Sequence, residues 1–258
     1  MAQVGFIGTG EIAAHMVAGL AGEGHQIFVS ERNAKVAAGL VAAHTEVSVA
    51  SNSEVASRSD ILFLCLMAET ARDVLPVLPF RPDHAVISVM ADVGLDELGT
   101  LCGPATDIAL TIPLPFIARG GAPLPVYPES AALLALFGAR NPVIPVASEQ
   151  AMIAHFGVTA FCAPIIEQVR VTADWLSEFT GDDAGAARYA AALFGGYLSD
   201  LAQGGATALD DALVSLDTEG GFNQTLRRHM AESGAPVALR AGLDAFRPRL
   251  GLPEAGEQ

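Results

Sequence analysis

Lysine is almost absent from this chain of 258 residues, in which Lys35 is the only one. Any reaction that needs a lysine as its acid or base would depend on this single position near the N-terminus. Basic residues are scarce as a whole, since 14 lysines and arginines stand against 29 aspartates and glutamates and leave a formal net charge of −15. A surface this acidic repels nucleic-acid phosphates and anionic lipids. We therefore expect a protein that binds neither nucleic acid nor a membrane.

Cysteine is also rare, and the three cysteines, Cys65, Cys102 and Cys162, stand singly among apolar neighbours. This spacing suits neither a metal centre nor a disulfide framework, and it predicts reduced thiols in a cytoplasmic protein without a metal. No run of about 18 or more uncharged apolar residues occurs, and the chain opens directly on a strand pattern. We therefore expect neither a signal peptide nor a transmembrane helix.

Short apolar segments alternate with helical segments over residues 1–147. Short strands without polar alternation are typical of a parallel sheet covered by helices on both faces. The alternation predicts an α/β fold that begins with a Rossmann domain, a doubly wound and mainly parallel sheet. The predicted strands are Val4–Gly8, Gln26–Ser30, Glu46–Val49, Ile61–Leu66, Ala85–Val89, Asp107–Thr111 and Val143–Val146.

Residues 148–258 show no further strand pattern and predict an all-α second domain. The two longest helices are apolar on more than one face, which fits either an internal helix or a helix buried against a second subunit. A small helical domain cannot bury so much apolar surface alone, so we favour a homodimer formed through the C-terminal helices. The predicted helices are Glu149–Phe179, Asp183–Gln203, Ala208–Ser215, Thr225–Ser233 and Ala235–Arg247.

A glycine turn follows the first predicted strand, in the segment G-F-I-G-T-G-E-I-A that ends at Ala13. In a G-x-G-x-x-A turn the first glycine permits the bend, and the second lets a pyrophosphate approach the backbone. The pyrophosphate then lies on the free amides of the following helix. We therefore predict dinucleotide binding by Gly8, Thr9, Gly10, Glu11 and Ile12.

The end of the second predicted strand carries both an acidic and a basic residue, Glu31 and Arg32. An acidic residue here holds the ribose hydroxyls of NAD, whereas an arginine contacts the 2′-phosphate of NADP. Ser30, Asn33 and Lys35 could join Arg32 around a phosphate, so we favour NADP over NAD. Glu31 could instead bind the ribose or face solvent.

These two motifs resemble the pyrroline-5-carboxylate reductase family and the wider group that includes the β-hydroxyacid dehydrogenases. The segments Ser59–Leu66, Ile87–Ala91, Ser148–Met152 and Val214–Asn223 favour the former. The resemblance implies a Rossmann domain, a helical dimerisation domain, and hydride transfer from the nicotinamide to an imine carbon. It places Leu66, Met67 and Ala68 beside the cofactor. It implies substrate contacts at Met90, Pro113, Glu219, Gly220 and Gly221.

The turn Thr218–Asn223 departs from that family, because Phe222 and Asn223 replace its pair of hydroxyl residues. Glu219 lies where the family binds a substrate carboxylate, and its charge would repel an anion. We therefore expect an altered and more apolar small-molecule substrate with a C=N or C=O bond. The β-hydroxyacid dehydrogenases use a lysine on a helix, and Lys35 lies in the cofactor half, so that chemistry is disfavoured. A non-catalytic dinucleotide sensor remains an alternative.

Two residues are candidate catalytic groups, His155 and Asn223. Imidazole titrates near neutral pH and suits proton donation to a reduced carbon–nitrogen or carbon–oxygen bond, although His155 could equally be a structural histidine. Asn223 could hydrogen-bond the substrate, or only cap a helix as Thr225 could. Glu219 could recognise an amine or iminium, or only face solvent.

Overall fold

The computed structural model of the chain describes residues 1–254 and residue 256. It separates into two compact units, Met1–Phe156 and a second that begins at Gly157. The first unit extends beyond residue 147 because the helix Glu149–Thr159 starts against it, with Met152 fully buried in its core.

An eight-stranded sheet forms the centre of the first unit, in the order β3-β2-β1-β4-β5-β6-β7-β8. All neighbouring strands are parallel except β6 and β7. This confirms the predicted Rossmann fold. The strands are β1 (Gln3–Ile7), β2 (Gln26–Ser30), β3 (Val47–Ala50), β4 (Ile61–Leu64), β5 (Ala85–Ser88), β6 (Asp107–Thr111), β7 (Leu124–Tyr127) and β8 (Val143–Pro145).

Helices cover both faces of the sheet, and the core divides accordingly into two apolar clusters. Phe6 and Phe63 stack in one cluster with ring centroids 4.9 Å apart, while Ile7 and Leu62 belong to the other. Neighbouring residues of one strand thus point to opposite faces, as the period of two requires. The helices are α1 (Glu11–Leu20), α2 (Ala34–Ala43), α3 (Asn52–Arg58), α4 (Ala68–Val74), α5 (Leu95–Leu101), α6 (Ala131–Phe137) and α7 (Glu149–Thr159).

Strand β7 has no counterpart among the predicted strands. Pro125 lies within β7 and Pro128 directly follows its last residue, and proline usually marks the interruption of a strand. The carbonyl of Pro125 nevertheless accepts a hydrogen bond of 2.8 Å from the hydroxyl of Thr111 on β6. Proline lacks the amide hydrogen but keeps its carbonyl oxygen, so Pro125 can still accept a hydrogen bond from the neighbouring strand.

The second unit is helical, as predicted, but the prediction of one continuous helix over Glu149–Phe179 is wrong. Helix α7 ends at Thr159 and the next helix begins at Cys162. Pro164 explains the break, because a proline clashes with the carbonyl four residues before it, here that of Ala160. The helices that follow are α8 (Cys162–Thr180), α9 (Asp183–Leu201), α10 (Ala208–Ser215), α11 (Phe222–Glu232) and α12 (Ala235–Asp244).

The segment Glu149–Thr180 is long and apolar enough, by length and composition, to cross a membrane. Within this segment, the most apolar window of 18 residues has a mean hydropathy of 1.4, and 6% of that window is buried. This differs from the sequence expectation, which required an uninterrupted uncharged run. A helix that packs in a protein interior or interface satisfies the same criterion, so the finding is that this segment exposes an apolar surface.

Candidate functional site

The turn after β1 can be formed only by glycine at its first position. Gly8 has a φ of +96°, a conformation that side chains rarely adopt. A Cβ atom there would collide with the carbonyl oxygen of Cys65 and would lie 2.9 Å from the side chain of Leu66. The first glycine of the motif is therefore required by the fold itself.

Gly10 is not required by the fold. Its φ is −95°, which any residue adopts, and no described atom lies within 4 Å of the position of a Cβ. It precedes α1 as an N-cap without a side chain, so the amides of Glu11 and Ile12 have no capping partner. An uncapped helix N-terminus that opens on free space fits the pyrophosphate of a dinucleotide.

Thr9 and Ser30 are buried within the turn, with 3% and 1% of their surfaces exposed. The Gly8 amide donates to Ser30 Oγ at 2.9 Å, and Thr9 Oγ1 donates to the Ser30 carbonyl at 2.6 Å. The two hydroxyl oxygens lie 3.1 Å apart. The Ser30 side chain therefore faces the turn and its hydroxyl is engaged there, and the phosphate contact of Ser30 stays a prediction.

The loop after β2 presents its charged residues to solvent. Glu31, Arg32, Asn33 and Lys35 are all exposed. The side-chain oxygen of Asn33 accepts a hydrogen bond of 3.4 Å from Val36 N and caps α2. Arg32 and Lys35 form no ion pair with any described residue. Two unpaired cations thus lie at the end of the strand where a 2′-phosphate would bind.

The loop after β4 adjoins the glycine turn. The Cys65 amide donates to the Ile7 carbonyl at 2.8 Å, which places Leu66, Met67 and Ala68 at the same sheet edge as Gly8. Met67 is 77% exposed and offers an apolar surface there. Burial raises the pKa of the Cys65 thiol to about 12, which disfavours the reactive thiolate at neutral pH.

Two predicted substrate residues lie in the core of the first unit. Met90, which follows β5, is 5% exposed and packs in the cluster that contains Met152. Pro113, which follows β6, is also buried. Both side chains are therefore largely engaged in packing, and their predicted substrate contacts stay predictions.

Helix α7 carries His155 along the same sheet edge. Its first residue, Glu149, accepts a hydrogen bond of 2.8 Å from the Leu95 amide at the start of α5. Met152 belongs to the same core cluster as Ile112, which follows β6. His155 is exposed, and its Nδ1 donates to the Ala151 carbonyl at 2.7 Å. That bond leaves Nε2 directed away from the helix backbone and available to a ligand.

The glycine pair of the second unit begins α11. Gly220 has a φ of +71°, and its amide donates to the side chain of Gln224 at 3.0 Å. The Gly221 amide donates to the Thr218 carbonyl at 2.9 Å. Both glycine amides are thus used within the turn, while Glu219 beside them is exposed. The turn keeps no glycine amide free for a carboxylate.

Asn223 and Thr225 lie inside α11, which begins at Phe222 with Gly221 as its N-cap. The predicted capping role of both residues is therefore wrong. Asn223 lines a groove of about 510 Å³ within the second unit, whose walls are mainly apolar. Its other lining residues include Leu213, Leu216, Asp217, Leu226, Arg227 and Met230.

No group of three or more histidine, cysteine or acidic side chains suited to a metal ion occurs among the described residues. The first unit carries the glycine turn, the two exposed cations Arg32 and Lys35, and His155 on α7. The second unit, considered by itself, carries the glycine pair and the groove.

Comparison with known proteins adds two findings. Residues 3–92 match the model of a family described as NADP oxidoreductase, coenzyme F420-dependent. The chain is similar in structure to 1-pyrroline-5-carboxylate reductase from Streptococcus pyogenes, with a TM-score of 0.81 at 18% identity over 96% of this chain and 98% of that one. The fold is that of the pyrroline-5-carboxylate reductases. The predicted resemblance is confirmed at this level.

Two further solved structures are similar to this chain in fold. Plasmodium falciparum pyrroline carboxylate reductase, solved with NADP bound, has a TM-score of 0.79 at 13% identity over 96% of this chain and 97% of that one. An imine reductase from Aspergillus terreus has a TM-score of 0.55 at 15% identity over 96% and 94%. The sequence has no match among curated proteins.

Proposed function

We propose that this protein is an NADP(H)-dependent oxidoreductase that reduces a C=N or C=O bond of a small molecule. The observation that carries the proposal is the turn after β1, where a glycine required by the fold precedes a glycine that the fold does not require. The amides at the start of α1 would hold the pyrophosphate, and Arg32 and Lys35 would hold the 2′-phosphate. The bound nicotinamide supplies the hydride.

His155 is our proposed proton donor. Its bond to the Ala151 carbonyl fixes the ring, and Nε2 remains for the substrate. Helix α7 is anchored at the carboxyl edge of the sheet, where ligands bind in open α/β folds. Proton donation at this edge would complete the reduction that a hydride begins.

The substrate turn supports a substrate without a carboxylate. Both glycine amides are satisfied internally, and Glu219 adds a negative charge. Phe222 is 96% exposed at the first position of α11 and offers an apolar contact. We therefore propose that Glu219, Gly220, Gly221 and Asn223 form a pocket altered toward neutral or cationic imines.

The test is an NADPH oxidation assay with paired substrates. We expect turnover with 1-pyrroline and with apolar cyclic imines, and at least tenfold lower kcat/KM with pyrroline-5-carboxylate. Simple ketones and oxidised coenzyme F420 complete the panel. NADPH binding without oxidation by any substrate would contradict the enzymatic proposal.

That outcome would support a second candidate, a non-catalytic dinucleotide sensor. The internal satisfaction of both glycine amides favours it, because a turn that binds no substrate anion needs no free donors. The same panel separates the two candidates, since only the enzyme oxidises NADPH.

We further propose a cytoplasmic homodimer that forms through the C-terminal helices. In α8, Val171, Trp175 and Phe179 recur every four residues, so they lie on one helix face, and they are 56%, 61% and 72% exposed. Such an apolar stripe on a helix is typical of a subunit interface. A second stripe on α9 consists of Tyr189, Leu193 and Tyr197.

Sedimentation velocity tests the dimer. We expect Trp175→Glu to shift the protein toward monomer, whereas Trp175→Phe, which keeps the apolar face, should leave the wild-type state. A wild-type protein that stays monomeric, or that requires lipid vesicles to remain soluble, would contradict the proposed dimer. The apolar stripe on α8 would then not be a dimer interface.

A further inference from the structure

The pair of buried hydroxyls between the glycine turn and β2 has a role beyond packing. We infer that Thr9 is a positioning residue that sets the preference for NADPH over NADH, acting through Ser30 on the loop that carries Arg32. This inference rests on the proposed function, because it presupposes that the loop binds a dinucleotide.

The hydrogen atoms of the pair can be assigned from the acceptors. The Ser30 carbonyl can only accept, so the Thr9 hydroxyl donates to it at 2.6 Å. The Gly8 amide donates to Ser30 Oγ, so the Ser30 hydroxyl hydrogen remains for Thr9 Oγ1 at 3.1 Å. Each donor has one acceptor, and the three bonds close a ring between the turn and the strand end.

The two bonds that reach Ser30 act on different parts of the site. The bond from the Gly8 amide fixes the pyrophosphate turn. The bond from Thr9 fixes the carbonyl of Ser30, the last residue before Glu31 and Arg32. The Thr9 hydroxyl therefore restrains the position from which the charged loop departs.

The loop is restrained at its other end as well. Asn33 caps α2 through its bond to the Val36 amide, so the exposed residues Glu31 and Arg32 lie between two fixed points. A loop held in this way presents a guanidinium to a 2′-phosphate with little loss of entropy on binding. If one end is released, Arg32 must be ordered by the ligand itself.

A role in packing alone would not require a hydroxyl at position 9. Valine has nearly the same shape as threonine and would fill the same buried space, while serine keeps the hydroxyl and loses a methyl group. Thr9→Val and Thr9→Ser are therefore a matched pair that separates hydrogen bonding from volume.

The experiment measures the dissociation constants of NADPH and NADH by titration for the wild type and both variants. We expect Thr9→Val to lower the ratio of Kd for NADH to Kd for NADPH by about tenfold, mainly through weaker NADPH binding, while Thr9→Ser keeps at least half of the discrimination. In an Arg32→Ala background, Thr9→Val should change the ratio no further, because the discriminating group is gone.

Several outcomes would overturn the inference. Equal weakening of both cofactors by Thr9→Val would show a general effect on the turn, and unchanged Kd values for both cofactors would show no effect on the loop. Should Thr9→Val not fold, Thr9→Ala and Thr9→Ser carry the test, because serine keeps the hydroxyl that alanine removes. A ratio equal in these two variants would overturn the inference.

The results that would contradict the proposed function differ from those that would contradict the role of Thr9. A folded wild type that binds no dinucleotide contradicts the redox assignment, whereas a wild type that prefers NADPH, with variants that keep this preference, contradicts only the role of Thr9. A wild type without any preference also overturns that role.

Discussion

The two glycines of the turn predict opposite consequences for substitution, although the harmless one for the fold adds the larger side chain. Gly8→Ala places a side chain at a φ of +96° and against the Cys65 carbonyl, so it should destabilise the fold. Gly10→Val places a side chain at an ordinary φ and in open space, so it should leave the fold intact. The second substitution should instead remove the space into which the pyrophosphate fits.

The magnitudes follow from these geometries. A left-handed backbone costs a non-glycine residue about 1–2 kcal/mol, and the backbone collision adds to this. At about 2–4 °C for each kcal/mol, Gly8→Ala should lower Tm by about 4 °C or more. Gly10→Val changes only the preference at the N-cap, which costs about 0.5 kcal/mol. We expect its Kd for NADPH to rise at least about 100-fold, or about 2.7 kcal/mol.

Thermal denaturation with and without NADPH measures both effects. A ligand present at about 100 times its Kd stabilises a protein by about 2.7 kcal/mol. The wild type should therefore gain several degrees in Tm when NADPH is added, and Gly10→Val should gain no more than about 1–2 °C. A normal gain for Gly10→Val would refute the pyrophosphate assignment, and a wild-type Tm for Gly8→Ala would refute the strain argument.

Three further predictions concern single charged or titratable side chains. Arg32→Ala should weaken NADPH binding by about tenfold or more and leave NADH binding unchanged, because only NADPH carries the 2′-phosphate; equal losses in titrations with both cofactors would contradict this. His155→Ala should lower kcat by about 100-fold or more without changing the Kd for NADPH if the imidazole donates the proton, and steady-state kinetics with the best imine would reveal an unchanged kcat if it does not. Burial and the nearby Arg81 lower the pKa of His84, so below about pH 6.5 the unfolded chain binds a proton that the folded chain does not. The free energy of unfolding should therefore fall as the pH drops from about 6.5, and His84→Asn, whose oxygen can still accept from the Arg81 amide, should reduce this fall in urea titrations; an identical pH dependence would contradict the assignment.

The sheet could be predicted because its strands are apolar at nearly every position. Seven of its eight strands follow from that pattern alone. Strand β7 could not, since Pro125 and Pro128 carry the signal of a loop, and only the tertiary pairing with Thr111 shows that the strand forms. A proline inside a strand can be recognised only when its neighbours are known.

The break between α7 and α8 was signalled in the sequence by Pro164. A proline forbids the carbonyl of Ala160 from continuing the helix, so the helix must end before it. The apolar composition of the segment hides this signal. The steric effect of Pro164 therefore predicts the break between α7 and α8 better than the apolar pattern of the segment does.

Side-chain direction limits how much of the site the sequence can predict. Position alone placed Gly8, Gly10 and Arg32 correctly on the turn and the loop. It could not show that Ser30 faces inward and engages Thr9, or that Met90 and Pro113 are buried. The bond between Glu149 and the Leu95 amide joins positions 54 residues apart, and no local pattern predicts it.

Titration calorimetry with NADPH, NADH, NADP⁺ and NAD⁺ tests the central claim most directly. We expect NADPH to bind at one site per chain and more tightly than NADH. The absence of heat with all four dinucleotides, on protein whose circular dichroism shows it to be folded, would contradict it.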